Sequence, residues 1–218
     1  MVYRFGKDRI PEQLFRQIDS FYGISEEERD VIRQVLDAVL GKTERTFSRC
    51  ANKYYHKNEE TYFDPLHTCQ WFVFLYQLAH ELYRNDCDRV ISDKIYNLSK
   101  IISGCDLYYE VEMPQFFFCE HPVGAVLGRA KYGEYFSFSQ GCTVGNNHGF
   151  FPVMGDHVTM FADSRILGNC HIGNDVTLAA NAFVKDRDIP NHSIVFGQDR
   201  DLIIKEKNDE LPDHVFLK

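Results

Sequence analysis

An apolar residue returns every six positions between Val126 and Val184. Val126, Tyr132, Phe138 and Val144 make one run, and Met154, Met160, Ile166, Ile172, Leu178 and Val184 make a second. A period of six matches neither a helix at about 3.6 residues nor an alternating strand. It matches a hexapeptide β-solenoid, where three short strands and three turns close one triangular coil. The periodic residue then faces inward and stacks on its counterpart in the next coil. Gly133, Gly145, Gly155, Gly173 and Ala179 follow periodic positions, and their small size is expected to let the chain bend at corners.

The phase breaks once. Val144 and Met154 are ten residues apart, so four extra residues lie within the segment Asn146-Asn147-His148-Gly149-Phe150-Phe151. A stacked core has no room for them, and they are expected to leave it as an external loop reaching toward a neighbouring site.

Composition narrows the classes of function. The net charge of −8, without a basic cluster, argues against nucleic acid and anionic membranes as main partners. No run of eighteen apolar residues is present to span a membrane, and the first residues lack the apolar core of a secretion signal. Seven cysteines without a CxxC pair read as reduced, buried thiols in a cytoplasmic protein rather than a zinc site.

Ahead of the repeats the chain reads as helical. Ser25 and Glu28 form a capping box, followed by Val31, Ile32, Val35, Leu36, Val39 and Leu40 at helical spacing, with Gly41 as the stop. Residues 42–60 read as a polar connection. Asp64-Pro65 is expected to open a second helix carrying Trp71, Phe72, Leu75, Leu78, Ala79 and Leu82 on one face. A third spans Asp88 to Ile102 and stops at Gly104. His67, His80 and the aromatic stripe read as core or surface residues. The fold class is therefore α+β: an N-terminal α-helical domain (residues 1–105), then a parallel β-helix of hexapeptide repeats (106–198), then a charged C-terminal tail (199–218) whose last residues are flexible.

Several motifs resemble one family. Asp106 stands fifteen residues before His121, and Glu120-His121 leads into Pro122-Val123-Gly124-Ala125-Val126-Leu127-Gly128. Downstream come Gln140-Gly141-Cys142-Thr143-Val144-Gly145, Ile166-Leu167-Gly168-Asn169 and the closing segment from Pro190 to Gly197. In order and spacing these resemble a serine acetyltransferase of the hexapeptide acyltransferase superfamily, over roughly residues 64–197. The resemblance implies that the β-helix is left-handed and that the chain is an acetyl-CoA-dependent O-acetyltransferase with no metal, assembled as a homotrimer or hexamer. It makes His121 the general base that takes the proton of an attacking hydroxyl, and Asp106 the carboxylate that orients the imidazole. Backbone N–H groups near Gly145 and Asn146 are the expected oxyanion donors. Ala162 and Ala180 are implied along the pantetheine groove, and Lys185 at a CoA phosphate.

The acceptor departs from the family. Serine acetyltransferases hold the substrate carboxylate with an Arg-His pair before a proline in the external loop; here Phe150-Phe151-Pro152 stands there, in a shorter loop. His148 is one histidine rather than a bidentate fork. Glu120 stands in place of the family's Asp, and Asp64 is a further candidate for polar groups of the acceptor. Aromatic faces beside carboxylates suit a sugar ring, so the acceptor is expected to be a saccharide hydroxyl, as in surface polysaccharide modification, with serine as the alternative. Two other classes stay open: a γ-carbonic anhydrase-like metalloenzyme using His148, His157 and His171, whose spacing does not support a shared ligand pair, and a non-catalytic trimeric scaffold.

Overall fold

The structure is a computed structural model that describes residues 1–208 and 215–217. It divides into two compact units: Met1–Ser103 with Tyr108–Glu110, and Gly104–Leu107 with Val111–Lys218.

The first unit holds four helices, α1 (Arg9–Tyr22), α2 (Glu26–Ser48), α3 (Thr68–Arg84) and α4 (Arg89–Ser103). The predicted capping box starts α2: Ser25 Oγ accepts the Glu28 amide at 3.2 Å, and the Glu28 carboxylate accepts the Ser25 amide at 2.8 Å. Gly41 does not end this helix. Thr43, Thr46 and Phe47 continue the buried stripe, and one interior glycine costs only about 1 kcal/mol, less than burying a phenylalanine returns. The expected connection over residues 42–60 is thus the end of α2, a 3-10 turn at Lys53–Tyr55, strand β2 (His56–Lys57) and the start of β3 (Glu60–Phe63). β3 lies between β2 and β1 (Val2–Tyr3). Helix α3 opens at Thr68, not at Asp64-Pro65, because His67 Nδ1 caps it by accepting the Gln70 amide at 3.4 Å. Its residues from Gln70 to His80 are all buried, so it runs through the middle of this unit. His80 Nδ1 lies 2.7 Å from the Tyr109 carbonyl oxygen, the structural role expected of it.

The second unit is a parallel β-solenoid. One face stacks β4 (Asp106–Leu107), β6 (Val126–Leu127), β8 (Thr143–Gly145), β11 (Arg165–Leu167) and β14 (Phe183–Lys185). A second stacks β5 (Phe117–Cys119), β7 (Phe136–Phe138), β10 (Thr159–Met160), β13 (Val176–Leu178) and β15 (Ser193–Phe196). The third pairs β9 (Val153–Met154) with β12 (His171–Ile172). Register puts Leu107, Leu127, Val144, Ile166 and Val184 in one inward column. Cys119, Phe138, Met160, Leu178 and Val195 make another. Val126 is the exception to the six-residue reading: it is 43% exposed and Leu127, at 1%, takes its place.

The glycines after periodic positions do not make the bends. Positive φ at the corners belongs instead to Tyr135, His157, Asp163, Asp175, Asn181, Asp186 and His192, with Gly141 and Gly168. Gly155 and Gly173 give clearance: a Cβ there would lie 2.3 Å from Asn174 Oδ1 and 2.4 Å from Asn191 Oδ1. Those oxygens accept the amides of Asp156 and Asn174, both at 2.8 Å, in a ladder that ties each coil to the next.

The C-terminal segment expected as a tail is ordered at its start. Strand β16 (Ile203–Glu206) pairs antiparallel with β15, and Lys207 Nζ donates to Asp175. Phe216, 5% exposed, packs edge-on against Tyr135 with centroids 5.3 Å apart. The rest of the expected flexible end, residues 209–214 and 218, lies outside the described residues.

Candidate active site

The second unit repeats one corner from coil to coil. Phe138 to Val144, Met160 to Ile166 and Leu178 to Val184 each span six residues from the second face to the first. Cys119 to Leu127 spans eight. The two extra residues cannot enter the stack, so this corner bulges and carries Glu120 and His121 to the exposed surface. His121 sits at φ +49°, and its carbonyl accepts the Val123 amide at 2.7 Å in a tight turn around Pro122. Within the same unit the Gly124 amide donates to the Gly104 carbonyl at 2.9 Å, and the Asp106 amide to Ala125 at 2.8 Å. Asp106 pairs in register with Val126, while the adjacent Leu107 is buried in the core. Side chains alternate along a strand, so Asp106 faces outward on β4, beside the strand β6 that this corner feeds.

Ala162 and Ala180 lie on the edge that carries His121. The edge is marked by amide bonds from Gly141 to Val123 (3.0 Å), Asp163 to Gln140 (2.9 Å) and Asn181 to Ala162 (2.9 Å). Ala162 is half-buried and Ala180 exposed. Gly145, Asn146, His148, Phe150, Phe151 and Lys185 gather at the next corner instead.

The external loop is a hairpin. Asn147 and Phe150 exchange both backbone bonds, at 3.1 and 3.0 Å, around His148 at φ +50° and Gly149 at φ +84°. Two positive φ values in a two-residue loop make a primed turn. Phe150 and Phe151 are exposed at 58% and 44%. The hairpin base is tied down: Asn147 Nδ2 donates to Asp186 Oδ2, and Asp186 Oδ1 accepts the Asn169 amide at 2.8 Å. The Asn169 amide, followed by the Asn147 side chain, holds the Asp186 carboxyl below the usual aspartate range. This tie was missed in the sequence; the Asn-His-Gly triplet signalled a turn, but nothing local pointed 39 residues ahead to Asp186.

Asp64 belongs to the helical unit and is engaged there. It accepts Arg4 Nη1 at 2.7 Å and the Leu66 amide at 2.9 Å. The histidines weighed as metal ligands have separate settings: His148 tips the hairpin, His157 stacks on Tyr135 at 4.5 Å, and His171 Nδ1 lies 3.2 Å from Asp188. Among the described residues no three His, Cys, Asp or Glu side chains gather for a metal ion. No helix there is long and apolar enough to cross a membrane.

No family model matches the chain. A serine acetyltransferase of Helicobacter pylori is 27% identical over 159 residues, covering 66% of this chain and 92% of the relative. A serine acetyltransferase structure from Neisseria gonorrhoeae superposes with a TM-score of 0.72 at 19% identity, covering 94% of this chain and 80% of that one. A serine acetyltransferase in complex with CoA gives 0.65 at 18%, covering 82% and 74%. At those identities the superpositions establish the fold: a helical N-terminal region followed by a parallel β-solenoid. The chain resembles serine acetyltransferases, and those homologues indicate an acyltransferase on a parallel β-solenoid. In sequence it is serine acetyltransferase-like over about two thirds of its length.

Proposed function

We propose that the chain transfers the acetyl group of acetyl-CoA to the hydroxyl of serine, with His121 as general base. The observation that carries this reading is the eight-residue corner, which lifts His121 out of the coil beside the strand holding Asp106. A hydroxyl is a poor nucleophile at neutral pH, and a positioned imidazole accelerates its attack by about 10² to 10⁴. Asp106 sets the tautomer of that imidazole and stabilises the imidazolium as the proton arrives. The O–H bond breaks toward His121 as the new C–O bond forms at the thioester carbonyl. The tetrahedral oxyanion then collapses, expels the CoA thiolate and leaves O-acetylserine. In the proposed trimer the oxyanion donors are the Gly145 and Asn146 amides of a neighbouring copy, because within one chain they lie at the corner after that of His121.

Acetyl-CoA is the proposed donor: the relatives are acetyltransferases, and one similar structure is a complex with CoA. Ala162 and Ala180, on the edge that carries His121, leave room for a pantetheine arm to approach backbone, and Lys185 supplies a point charge for phosphate. A cytoplasmic trimer, or a pair of trimers, is the proposed assembly.

The relatives favour serine over the saccharide expected from Phe150 and Phe151, and no comparison supports a sugar acceptor. In this reading Glu120 contacts the polar groups of the amino acid, and His148, Phe150 and Phe151 reach the site from the hairpin corner of a neighbouring copy. The test is thiol release from acetyl-CoA offered L-serine and, separately, a panel of sugars. Serine-dependent turnover supports the reading; turnover with a sugar and none with serine returns the acceptor to a saccharide.

A further inference from the structure

The outward side of the solenoid's second face carries a column of residues that begins beside His121. Cys119, Phe138, Met160, Leu178 and Val195 are inward partners in register. Side chains alternate along a strand, so the residues that follow them, Glu120, Ser139, Phe161, Ala179 and Phe196, stand outward in successive coils. Amide bonds keep the column in step: Glu120 to Phe138, Ser139 to Met160 and Phe161 to Leu178, each at 3.0 Å, and Ala179 to Val195 at 2.9 Å.

Two aromatic rings stay exposed in this column, Phe161 at 48% and Phe196 at 38%. Ile203, which pairs with Phe196 from β16, is exposed at 54% and extends the apolar surface. Ala179, between the two phenylalanines, leaves a notch. Neighbouring strands lie about 4.8 Å apart, so a flat ring seated over Ala179 would have a phenylalanine about 4.8 Å away on each side. That falls within the range of about 4.5–7 Å for stacked aromatic pairs. Lys205 Nζ lies 5.8 Å from the centroid of the Phe196 ring and makes no ion pair among the described residues. Two π faces with a cation at the rim suit a nucleotide: the base stacks and a phosphate meets the charge.

We propose that this notch seats the purine ring of acetyl-CoA between Phe161 and Phe196, with Lys205 toward a phosphate of the nucleotide. The assignment rests on the acetyl-CoA reading above and adds the residues that select the nucleotide half of the donor. The notch is three coils from Glu120, a span of about 14 Å, which the pantetheine arm and pyrophosphate between thioester and purine can bridge. Ala162 follows Phe161 and Ala180 follows Ala179, so the groove proposed for that arm runs beside the column.

Isothermal titration of the full chain with CoA and, separately, with phosphopantetheine, which lacks the nucleotide, tests it. Phe161→Ala and Phe196→Ala change exposed positions and are expected to keep the parent's melting temperature. Each should bind CoA about tenfold more weakly, the loss of one stacking face, and bind phosphopantetheine as the parent does. Phe196→Trp should restore CoA binding. Unchanged CoA affinity in both alanine variants, or an equal loss for both ligands, would overturn the notch and leave the acetyl-CoA reading standing. No saturable CoA binding by the parent would overturn that reading and the notch with it. Unchanged affinities with a lower mass by light scattering in Phe196→Ala would put a second copy of the chain on this face, which also overturns the proposal.

Discussion

The Gly124 amide donates to the Gly104 carbonyl at 2.9 Å, tying the turn after His121 to the segment that begins the strand of Asp106. Residues fifteen apart in the chain thereby reach one corner of the first coil. The other corners of that type are two residues shorter, and among the described residues only this one presents a histidine on a bulge. The functional proposal follows from that difference in length.

Inward and outward positions on one face should respond very differently to truncation. Ile166 is fully buried in its column, so Ile166→Ala should cost about 2–5 kcal/mol. Val126, paired with Thr143 but pointing out, should change stability by less than about 0.5 kcal/mol when cut to alanine. Urea denaturation of the two variants is the check, and equal losses would contradict the register.

The six-residue pattern made the solenoid legible because each inward residue repeats through a stacked column. It misplaced Val126 because the step from Leu127 to Tyr132 is five residues rather than six, and only the backbone register puts Leu127 inside. Gly41 misled for a different reason. Its propensity is local, whereas the burial of Phe47 that overrides it is tertiary. His121 and Asp106 stood out by spacing, but the bulge that exposes His121 is visible only against neighbouring coils. Asn147 and Asp186 meet through stacking, which no window along the chain contains.

Asp175 should contribute to acid sensitivity. Partial burial raises its pKa, but hydrogen bonds from Lys207 and His192 outweigh this and hold the carboxyl below the ordinary value. A depressed folded pKa means its contribution is complete above the unfolded value of about 3.9 and is lost as pH falls through the folded one. Asp175→Asn should therefore be clearly less stable than the parent at pH 6 and nearly equal to it in strong acid. Urea melts at both pH values test this; a gap independent of pH would contradict it.

The thiols should divide by accessibility. Cys50, Cys105, Cys119, Cys142 and Cys170 are buried, while Cys69 and Cys87 are partly exposed. Burial pushes the Cys50, Cys142 and Cys170 thiols up, away from the reactive thiolate. A disulfide reagent at neutral pH should modify Cys69 and Cys87 in the native chain and all seven only after denaturation. Prompt native labelling of Cys142 would contradict the packing.

The tie beneath the hairpin should matter to the acceptor more than to CoA. Asn147→Ala removes the side-chain donor to Asp186 and frees the base of the loop carrying Phe150 and Phe151. The KM for serine should rise several-fold while the KM for acetyl-CoA moves less. Steady-state kinetics in both substrates separate the two, and an equal rise in both would contradict a role in presenting the loop.

The initial rate of thiol release from acetyl-CoA with L-serine, compared between the unaltered chain and His121→Ala at matched melting temperature, tests the central claim most directly. The account predicts a fall of about 10² to 10⁴ in kcat with the fold intact. A variant that turns over within about twofold of the parent rate would contradict it, because general-base loss costs far more than that.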